Sequence, residues 1–249
     1  MRPTWAEIDT DAFARNVEAI ALRLPDRSRL IAVLKADGYG HGAVELAKRC
    51  TPERVAMIAT SLLEEALELH DAGIDLPLLV LGALTPAQVR LAIERGVTIG
   101  VIGPEELGSV CEVARDRDVT IHLKLDSGMG RMGIVEGELI RVAELIRETP
   151  RLHIGAIYTH FANASDPDDP FTEQQLAAFR AYVGKLRELG VEAPFHHTSN
   201  SAGTVRGIVE PGDFVRAGIV LYGGEPLDAG SAKLEPVMRW RTEIVRLKT

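Results

Sequence analysis

The sequence is poor in cysteine and in aromatic residues, with two cysteines and 5% aromatic side chains among 249 residues. Two thiols, Cys50 and Cys111, are too few for a disulfide framework or a zinc site, so we expect both to be packing residues. Positive charge is also scarce, with 28 Lys and Arg against 36 Asp and Glu and a net charge of −8. Because no basic block offsets this balance, neither nucleic acid nor a membrane is expected as a partner, and a small molecule is.

Long apolar runs are missing as well. No stretch approaches the ~20 residues of a membrane-spanning helix. The first twenty residues, "MRPTWAEIDTDAFARNVEAI", carry charges throughout and lack the apolar core of a signal peptide. We therefore expect a cytoplasmic protein. A hydrophobic content of 46% fits one large α/β domain with its own core.

The sequence does contain a series of short β-branched or leucine-rich runs, separated by segments with the apolar spacing of helices. Strands that alternate with helices in this way predict parallel βαβ units. The count of eight favours the α/β class of the (β/α)8 TIM barrel, with eight parallel strands, over an open doubly wound sheet. The predicted strands are residues 30–34, 55–60, 76–82, 98–102, 120–126, 154–161, 195–200 and 214–222.

Both ends of the chain depart from this repeat. Residues 4–9, "TWAEID", predict a strand outside the barrel, and the polar stretch "GGEPLDAGSAKLEP" leads into the alternating run "VMRWRTEIVRLKT". Since a lone strand has no core, this run either pairs with "TWAEID" or begins a further domain. We predict an N-terminal strand over residues 1–10, a barrel over residues 11–228, and the start of a truncated C-terminal β-domain over residues 229–249.

Reactive side chains fall at the ends of the predicted strands, where the active sites of such barrels are built. A lysine amine and a region that commonly binds phosphate converge there, which indicates a Schiff base to pyridoxal phosphate or to a sugar phosphate. The residues concerned are Lys35, Arg131, His160, His197, Asn200, Ser201, Arg216, Gly218 and Ile219.

Five ordered motifs carry a family resemblance: "AVLKADGYGHG", "LKLDSGMGRMG", "YTHFANASD", "HTSNSAG" and "VRAGIVLYG". Together they resemble the barrel domain of the alanine racemases, which are fold type III pyridoxal phosphate enzymes, and the match spans nearly the whole chain. The resemblance implies pyridoxal 5'-phosphate as cofactor, alanine as substrate, and interconversion of its L and D forms to supply D-alanine for peptidoglycan.

The resemblance also implies roles for single residues. Lys35 matches the lysine that forms the Schiff base with the cofactor and serves as one of two racemisation bases. Tyr39 matches a phosphate-contacting tyrosine, His160 a histidine against the cofactor ring, and His197 a histidine that contacts Arg216. Arg216 matches the arginine that hydrogen-bonds the pyridine nitrogen. Because guanidinium keeps its proton, that nitrogen should stay unprotonated, which limits side reactions such as transamination.

The phosphate is implied to lie against Ser201, Gly218 and Ile219, and Asn200, which precedes them, is counted with the cofactor-binding residues. Hydroxyl and main-chain amide groups can bind a dianion without a cationic clamp. Ordinary loop and turn chemistry is the alternative explanation for these residues.

Two basic residues have supporting roles in the resemblance. Arg131 matches an arginine near the phenolic oxygen of the cofactor and the substrate carboxylate. Lys124 matches a lysine that many members carry as a carbamate, whose negative charge holds that arginine in place. From the residues alone, an unmodified Lys124 paired with Asp126 or another acid is an equal alternative.

The family's second base is a tyrosine that a C-terminal β-domain contributes across a head-to-tail homodimer, and no matching motif precedes Thr249. Tyr222 is no substitute by position. We therefore expect impaired racemisation and a monomeric or weakly associated chain, either as a truncated racemase or as a natural one-domain relative. Two other functions stay open: a single-barrel protein that binds pyridoxal phosphate without robust turnover, and a Schiff-base enzyme that acts on a sugar phosphate.

Overall fold

The computed structural model describes residues 3–24, 30–209, 212–224 and 234–248. Eight parallel strands form a barrel: the first seven pair with one another in chain order and the eighth pairs with the first, so that the seventh and the eighth are the two end strands. Backbone hydrogen bonds from Phe214 N to His196 O and from Arg216 N to Ser199 O, both 2.9 Å, join the two end strands and nearly close the barrel. The predicted barrel is confirmed. Its strands are β2 (Leu30–Val33), β3 (Val55–Thr60), β4 (Leu78–Val80), β5 (Thr98–Val101), β6 (Val119–Lys124), β7 (Leu152–Tyr158), β8 (Phe195–His197) and β9 (Val215–Ala217).

The longer helices pack around the outside of the barrel, and strands such as β2 are apolar on both faces. In β2, Leu30 and Ala32 belong to the large core under the helices, whereas Ile31 and Val33 pack inside the barrel. This alternation explains why a strand such as β2 has a continuous apolar sequence. The helices are α1 (Thr10–Ala21), α2 (Lys35–Gly40), α3 (Ala43–Ala47), α4 (Leu63–Asp71), α5 (Pro86–Glu94), α6 (Pro104–Val113), α7 (Leu139–Arg147), α8 (Phe171–Glu188) and α9 (Ser201–Val205).

Several predicted strands are shorter in the structure than the runs that indicated them, among them residues 76–82, which form a strand only over Leu78–Val80. The run at residues 214–222 is a strand only to Ala217, because Gly218 bends the backbone (φ −119°, ψ −97°) into a helical turn at Ile219–Tyr222. The run at residues 195–200 ends at His197, since Asn200 already caps α9. Both ends therefore turn into loops at the mouth of the barrel.

A two-stranded antiparallel sheet lies apart from the barrel strands. β1 (Thr4–Ile8) pairs with β10 (Met238–Thr242) in a register that sets Thr4 against Thr242 and Ile8 against Met238. Of the two alternatives for the C-terminal run, pairing with "TWAEID" is thus observed. The three-part division of the chain stays a prediction, and its boundary at residues 228 and 229 lies outside the described residues.

Two kinds of feature are absent from the described residues. No helix there has the length and apolarity needed to cross a membrane. No group of His, Cys, Asp and Glu there is arranged to hold a metal ion. Cys50 and Cys111 are buried free thiols, in agreement with the packing role expected for them.

Candidate active site

A cavity of about 390 Å³ opens at the carboxyl ends of the barrel strands. All of the predicted site residues except His197 line it, and His197 contacts Arg216 from behind. The cavity also includes Tyr158, which the sequence analysis did not single out. The predicted residues that line it are Lys35, Tyr39, Lys124, Arg131, His160, Asn200, Ser201, Arg216, Gly218 and Ile219.

Lys35 begins a left-handed turn, α2, directly after β2. Ala36, Asp37, Gly38 and Tyr39 all have φ between 51° and 58°. Three of these four are not glycine, and left-handed backbone costs roughly 1–2 kcal/mol for each such residue. The turn brings Tyr39 back beneath Lys35, whose Nζ lies 5.8 Å from the centre of the Tyr39 ring. Strain of this kind persists only where surrounding contacts enforce it, and it is concentrated at functional sites.

Arg216 is buried at the base of the cavity and donates only to neutral acceptors. Its Nη2 donates to Thr159 O at 2.6 Å and Thr198 O at 3.2 Å and lies 3.3 Å from His160 Nδ1. Its Nη1 donates to His197 O and lies 2.7 Å from His197 Nδ1. Burial lowers the pKa of Arg216 to about 10, so it remains a cation at neutral pH. No carboxylate among the described residues pairs with it.

The hydrogen-bonded chain continues past His197 to a residue that sequence reasoning missed. His122 Nδ1 lies 3.0 Å from His197 Nε2, and both rings are buried. Since guanidinium can only donate, His197 Nδ1 is an acceptor and its Nε2 carries the proton given to His122. Burial, and then the charge of Arg216, lowers the pKa of His122 to about 4. His122 and Lys124 are two residues apart on β6, so their side chains share one face of the strand. This spacing could have indicated from the sequence that both face inward.

His160 and Tyr158 complete the surroundings of Arg216. Burial and the nearby cations lower the pKa of His160 to about 3, which leaves this ring neutral. The Tyr158 ring stacks on His197 at 4.4 Å and 8°, with Arg216 5.3 Å from its centre. The buried Tyr158 hydroxyl has no hydrogen-bond partner among the described residues.

Lys124 is buried and is not paired with Asp126. The Asp126 carboxylate instead accepts the backbone amides of Gly128, Gly130 and Arg131 at 3.0–3.1 Å. Over the described ranges, no hydrogen bond or ion pair reaches the Lys124 amine. Burial, followed by the charges of Arg131 and Arg216, lowers its pKa to about 8. The alternative of pairing with Asp126 is therefore wrong for this structure.

Ser201, Gly218 and Tyr39 form a closely fitted wall at the other side of the cavity. Ser201 Oγ accepts from Gly218 N at 2.9 Å, so its hydroxyl proton is free to donate elsewhere. A Cβ at Gly218 would lie 2.6 Å from the Tyr39 hydroxyl, so a larger residue there would displace the Tyr39 side chain. Asn200 uses its side chain within the fold, since its Oδ1 accepts from Gly203 N and its Nδ2 donates to Phe161 O. Ile219 is 43% exposed at the rim.

The charge of the cavity is one-sided. Lys35, Lys124, Arg131 and Arg216 line it, and no aspartate or glutamate does so within the described part of the chain. A concave site with this charge is complementary to an anionic small molecule. The amine at Lys35 adds a nucleophile to the same space.

The comparisons with known proteins agree with this geometry. Residues 8–226 match the family model described as alanine racemase, N-terminal domain. An alanine racemase of Methanococcus maripaludis is 34% identical over 252 residues, which cover 99% of this chain and 68% of that protein. Alanine racemase 1 of Oceanobacillus iheyensis is 36% identical, with 99% and 67% covered. The chain thus spans about two thirds of the length of these relatives.

Solved structures give the same result. Alanine racemase of Clostridium difficile 630 in complex with cycloserine superposes with a TM-score of 0.90 at 33% identity, covering 99% of this chain and 70% of that one. Alanine racemase from Bacillus anthracis with bound L-Ala-P gives a TM-score of 0.88 at 34% identity, covering 96% and 64%. The resemblance drawn from the five sequence motifs is confirmed. The chain belongs to the alanine racemase family and corresponds to its N-terminal barrel domain.

Proposed function

We propose that this chain binds pyridoxal 5'-phosphate through Lys35 and acts on alanine as a racemase barrel. One observation carries the proposal: the Lys35 amine and the buried Arg216, a cation without a carboxylate partner among the described residues, line the same cavity. Pyridoxal phosphate has an aldehyde for the first group, a pyridine nitrogen for the second and a phosphate dianion. The residues present fit this ligand.

Each part of the cofactor has a candidate holder. Lys35 would hold the aldehyde carbon, and Arg216 would donate to the pyridine nitrogen from a guanidinium already fixed by the Thr159 and Thr198 carbonyls. The Ser201 hydroxyl and the Tyr39 hydroxyl, on the wall that Gly218 leaves open, are the donors for the phosphate. When bound, pyridoxal phosphate supplies the electron sink that makes the Cα proton of an amino acid removable.

The chain's own residues then manage protons and charge. The Lys35 amine takes and returns the Cα proton on one face of the substrate, while Arg131 attracts its carboxylate. Because His160 and His197 have lowered pKa values, both rings stay neutral and Arg216 remains the only charged donor in its group. Because guanidinium keeps its proton, Arg216 would leave the pyridine nitrogen of the cofactor unprotonated, which would favour simple proton exchange over transamination.

We include a carbamate at Lys124 in the proposal. Its lowered pKa leaves part of the amine neutral at pH 7 to 8, and Nζ can then attack the carbon of CO2 with release of a proton. The product would place a negative charge between Lys35, Arg131 and Arg216, where the described residues supply none. Bicarbonate-dependent mass gain at Lys124 would support this part of the proposal.

In this proposal Lys35 serves one face of the substrate, and the resemblance assigns no base for the opposite face among the described residues. Tyr222 is buried and its hydroxyl donates to Val33 O at 3.0 Å, so it is not available. We propose that this chain by itself exchanges the Cα proton faster than it racemises alanine. The three-part division at residues 10 and 228, and a contribution of D-alanine to peptidoglycan, belong to the same proposal.

Deuterium uptake at Cα tests it. The chain is loaded with pyridoxal phosphate and incubated in D2O with L-alanine or D-alanine, and exchange is followed by NMR beside chiral analysis. We expect uptake into one enantiomer, no uptake in Lys35→Ala, and unchanged uptake in Lys48→Ala, whose amine pairs with Glu45 at the surface. Cofactor binding without any exchange would instead indicate a binding protein, and failure to form a borohydride-reducible bond at Lys35 would contradict the proposal.

A further inference from the structure

Glu65 lies outside the cavity, but its carboxylate contacts the peptide that joins Lys35 to Ala36. It is the third residue of α4, and its carboxylate joins two loops. One oxygen, Oε1, accepts from Ala36 N at 2.6 Å. The other, Oε2, accepts from Ser61 N at 2.8 Å and Leu62 N at 3.0 Å, at the start of its own helix.

The amide bound by Oε1 is part of the peptide bond that joins Lys35 to Ala36. This peptide is the point at which the chain leaves β2 and enters the left-handed turn, with Ala36 at φ 52°. Other contacts hold the later part of the turn, since Gly38 N donates to Leu34 O and Asp37 Oδ1 accepts from Ala43 N. Glu65 is the side chain that holds its first peptide, and so the direction in which Lys35 leaves the strand.

The same device occurs a second time, without a reactive residue. Glu106 is the third residue of α6, and its Oε1 accepts from Leu84 N while its Oε2 accepts from Ile102 N, both at 2.8 Å. Each glutamate thus ties the loop before its helix to the preceding strand-to-helix loop of the barrel. Of the two braces, only that of Glu65 ends on the peptide that follows a nucleophilic residue of the cavity, Lys35.

We propose that Glu65 is a positioning residue for Lys35: it fixes the Lys35–Ala36 peptide so that the amine points into the cavity, and cofactor attachment depends on that contact. The proposal rests on the proposed role of Lys35 as the anchor for pyridoxal phosphate. It also has a consequence for the free protein, because the Ala36 amide is protected whether or not a cofactor is bound.

Glu65→Gln separates the two ends of the brace. An amide has one acceptor oxygen, and two backbone donors compete for it at Ser61 and Leu62 against one at Ala36. The oxygen therefore stays with the helix start, and the amide NH2 of glutamine faces the N–H of Ala36, where two donors repel. Glu106→Gln makes the same chemical change at the Leu84 and Ile102 amides and is the matched control.

The experiment measures three quantities for wild type, Glu65→Gln and Glu106→Gln. These are hydrogen exchange at the Ala36 amide in the cofactor-free protein, the Kd for pyridoxal phosphate from its absorbance change, and the melting temperature. For Glu65→Gln we expect about tenfold faster exchange at Ala36 and about tenfold weaker binding, the loss typical of one charge-assisted hydrogen bond. Glu106→Gln should lower the melting temperature at least as much as Glu65→Gln does. It should leave Ala36 exchange and the Kd for pyridoxal phosphate unchanged.

Two results would overturn the proposal. One is an Ala36 amide that stays as protected in Glu65→Gln as in wild type. The other is equal weakening of cofactor binding by both variants, which would reduce Glu65 to a general stabiliser. If wild type itself forms no bond at Lys35, the proposed function fails instead. Support for the brace then requires that Ala36 exchange and the rate of Lys35 acetylation both change in Glu65→Gln and both keep their wild-type values in Glu106→Gln.

Discussion

Arg15 and Arg216 carry the same guanidinium group in opposite surroundings. Arg15 is 53% exposed in its side chain and binds both oxygens of Glu235, at 2.6 and 2.8 Å. Arg216 is buried and donates to carbonyl oxygens and imidazole nitrogens, without a carboxylate partner among the described residues. The first cation is neutralised by the fold, and the second is only held in place by it.

The difference shows where the fold accepts a cost. An exposed ion pair contributes about 0–1 kcal/mol, and it leaves no net charge for a ligand. A buried cation without an anion is unfavourable, and it persists only if its donors are satisfied and something else gains from it. Lys124 repeats the pattern at the cavity, whereas Lys48, at the surface, is paired with Glu45. The cavity keeps its positive charge available.

Removing each arginine should give the largest contrast. Arg216→Met leaves the Thr159 and Thr198 carbonyls and His197 Nδ1 without their donor, and each unsatisfied buried group costs about 1–3 kcal/mol. Relief of the buried charge offsets part of this, so we expect a net loss of about 4 kcal/mol in the free energy of unfolding by urea. Pyridoxal phosphate binding should weaken at least about 100-fold.

Arg15→Met is the matched control. Its loss should stay within about 1 kcal/mol, as for other exposed pairs, and cofactor binding should not change. Equal destabilisation by the two variants would contradict the distinction between a neutralised and an uncompensated arginine.

The next largest effect concerns the histidine at the far end of the Arg216 chain. The unfolded chain binds a proton at an ordinary histidine near pH 6.5, but folded His122 does so only near pH 4, so stability falls as the pH falls through this window. His122→Asn keeps an acceptor for His197 and cannot be protonated. Between pH 7 and pH 4 the variant should therefore lose about 3 kcal/mol less than wild type.

His153→Asn is the control for this pH profile, since His153 lies at the surface beside Asp118. In urea unfolding experiments between pH 7 and pH 4, the free energy of unfolding of this variant should change with pH as that of wild type does. Parallel curves for wild type and His122→Asn would show that the buried imidazole is not the group that resists protonation.

Sequence reasoning located the barrel and the cavity because both depend on local, periodic signals. Apolar runs such as residues 55–60 coincide with β3, and strand ends in a parallel barrel must meet at one mouth. The ends of the runs were less predictable. The run from Phe214 to Tyr222 is apolar except for Arg216, and nothing in it indicates the backbone turn at Gly218 that ends the strand at Ala217.

Contacts between distant parts of the chain could not be predicted from the sequence. The left-handed turn at Ala36 and Asp37 cannot be predicted from residues that disfavour it, because a carboxylate 29 residues away holds its first peptide. The hydrogen bond from His197 to His122 spans 75 residues, and no spacing rule indicates it. The roles assigned to the site residues by resemblance remain predictions.

Lys124 gives the smallest expected effect, with the opposite sign to Arg216. Its amine has no dedicated acceptors among the described residues, so Lys124→Met removes a buried charge without leaving carbonyls unsatisfied. In CO2-free buffer, where the amine carries no carbamate, we expect the variant to be about 2 kcal/mol more stable than wild type at pH 7. Because folded Lys124 loses its proton near pH 8 and an unfolded lysine near 10.5, wild type gains stability as the pH rises between these values, and the advantage of the variant should shrink by pH 10.

Lys48→Met, which breaks only the surface pair with Glu45, should change the free energy of unfolding by no more than about 0.5 kcal/mol at either pH. A loss of stability in Lys124→Met at pH 7 would mean that the fold satisfies this amine as fully as it satisfies Arg216, and that the cavity holds one uncompensated cation fewer.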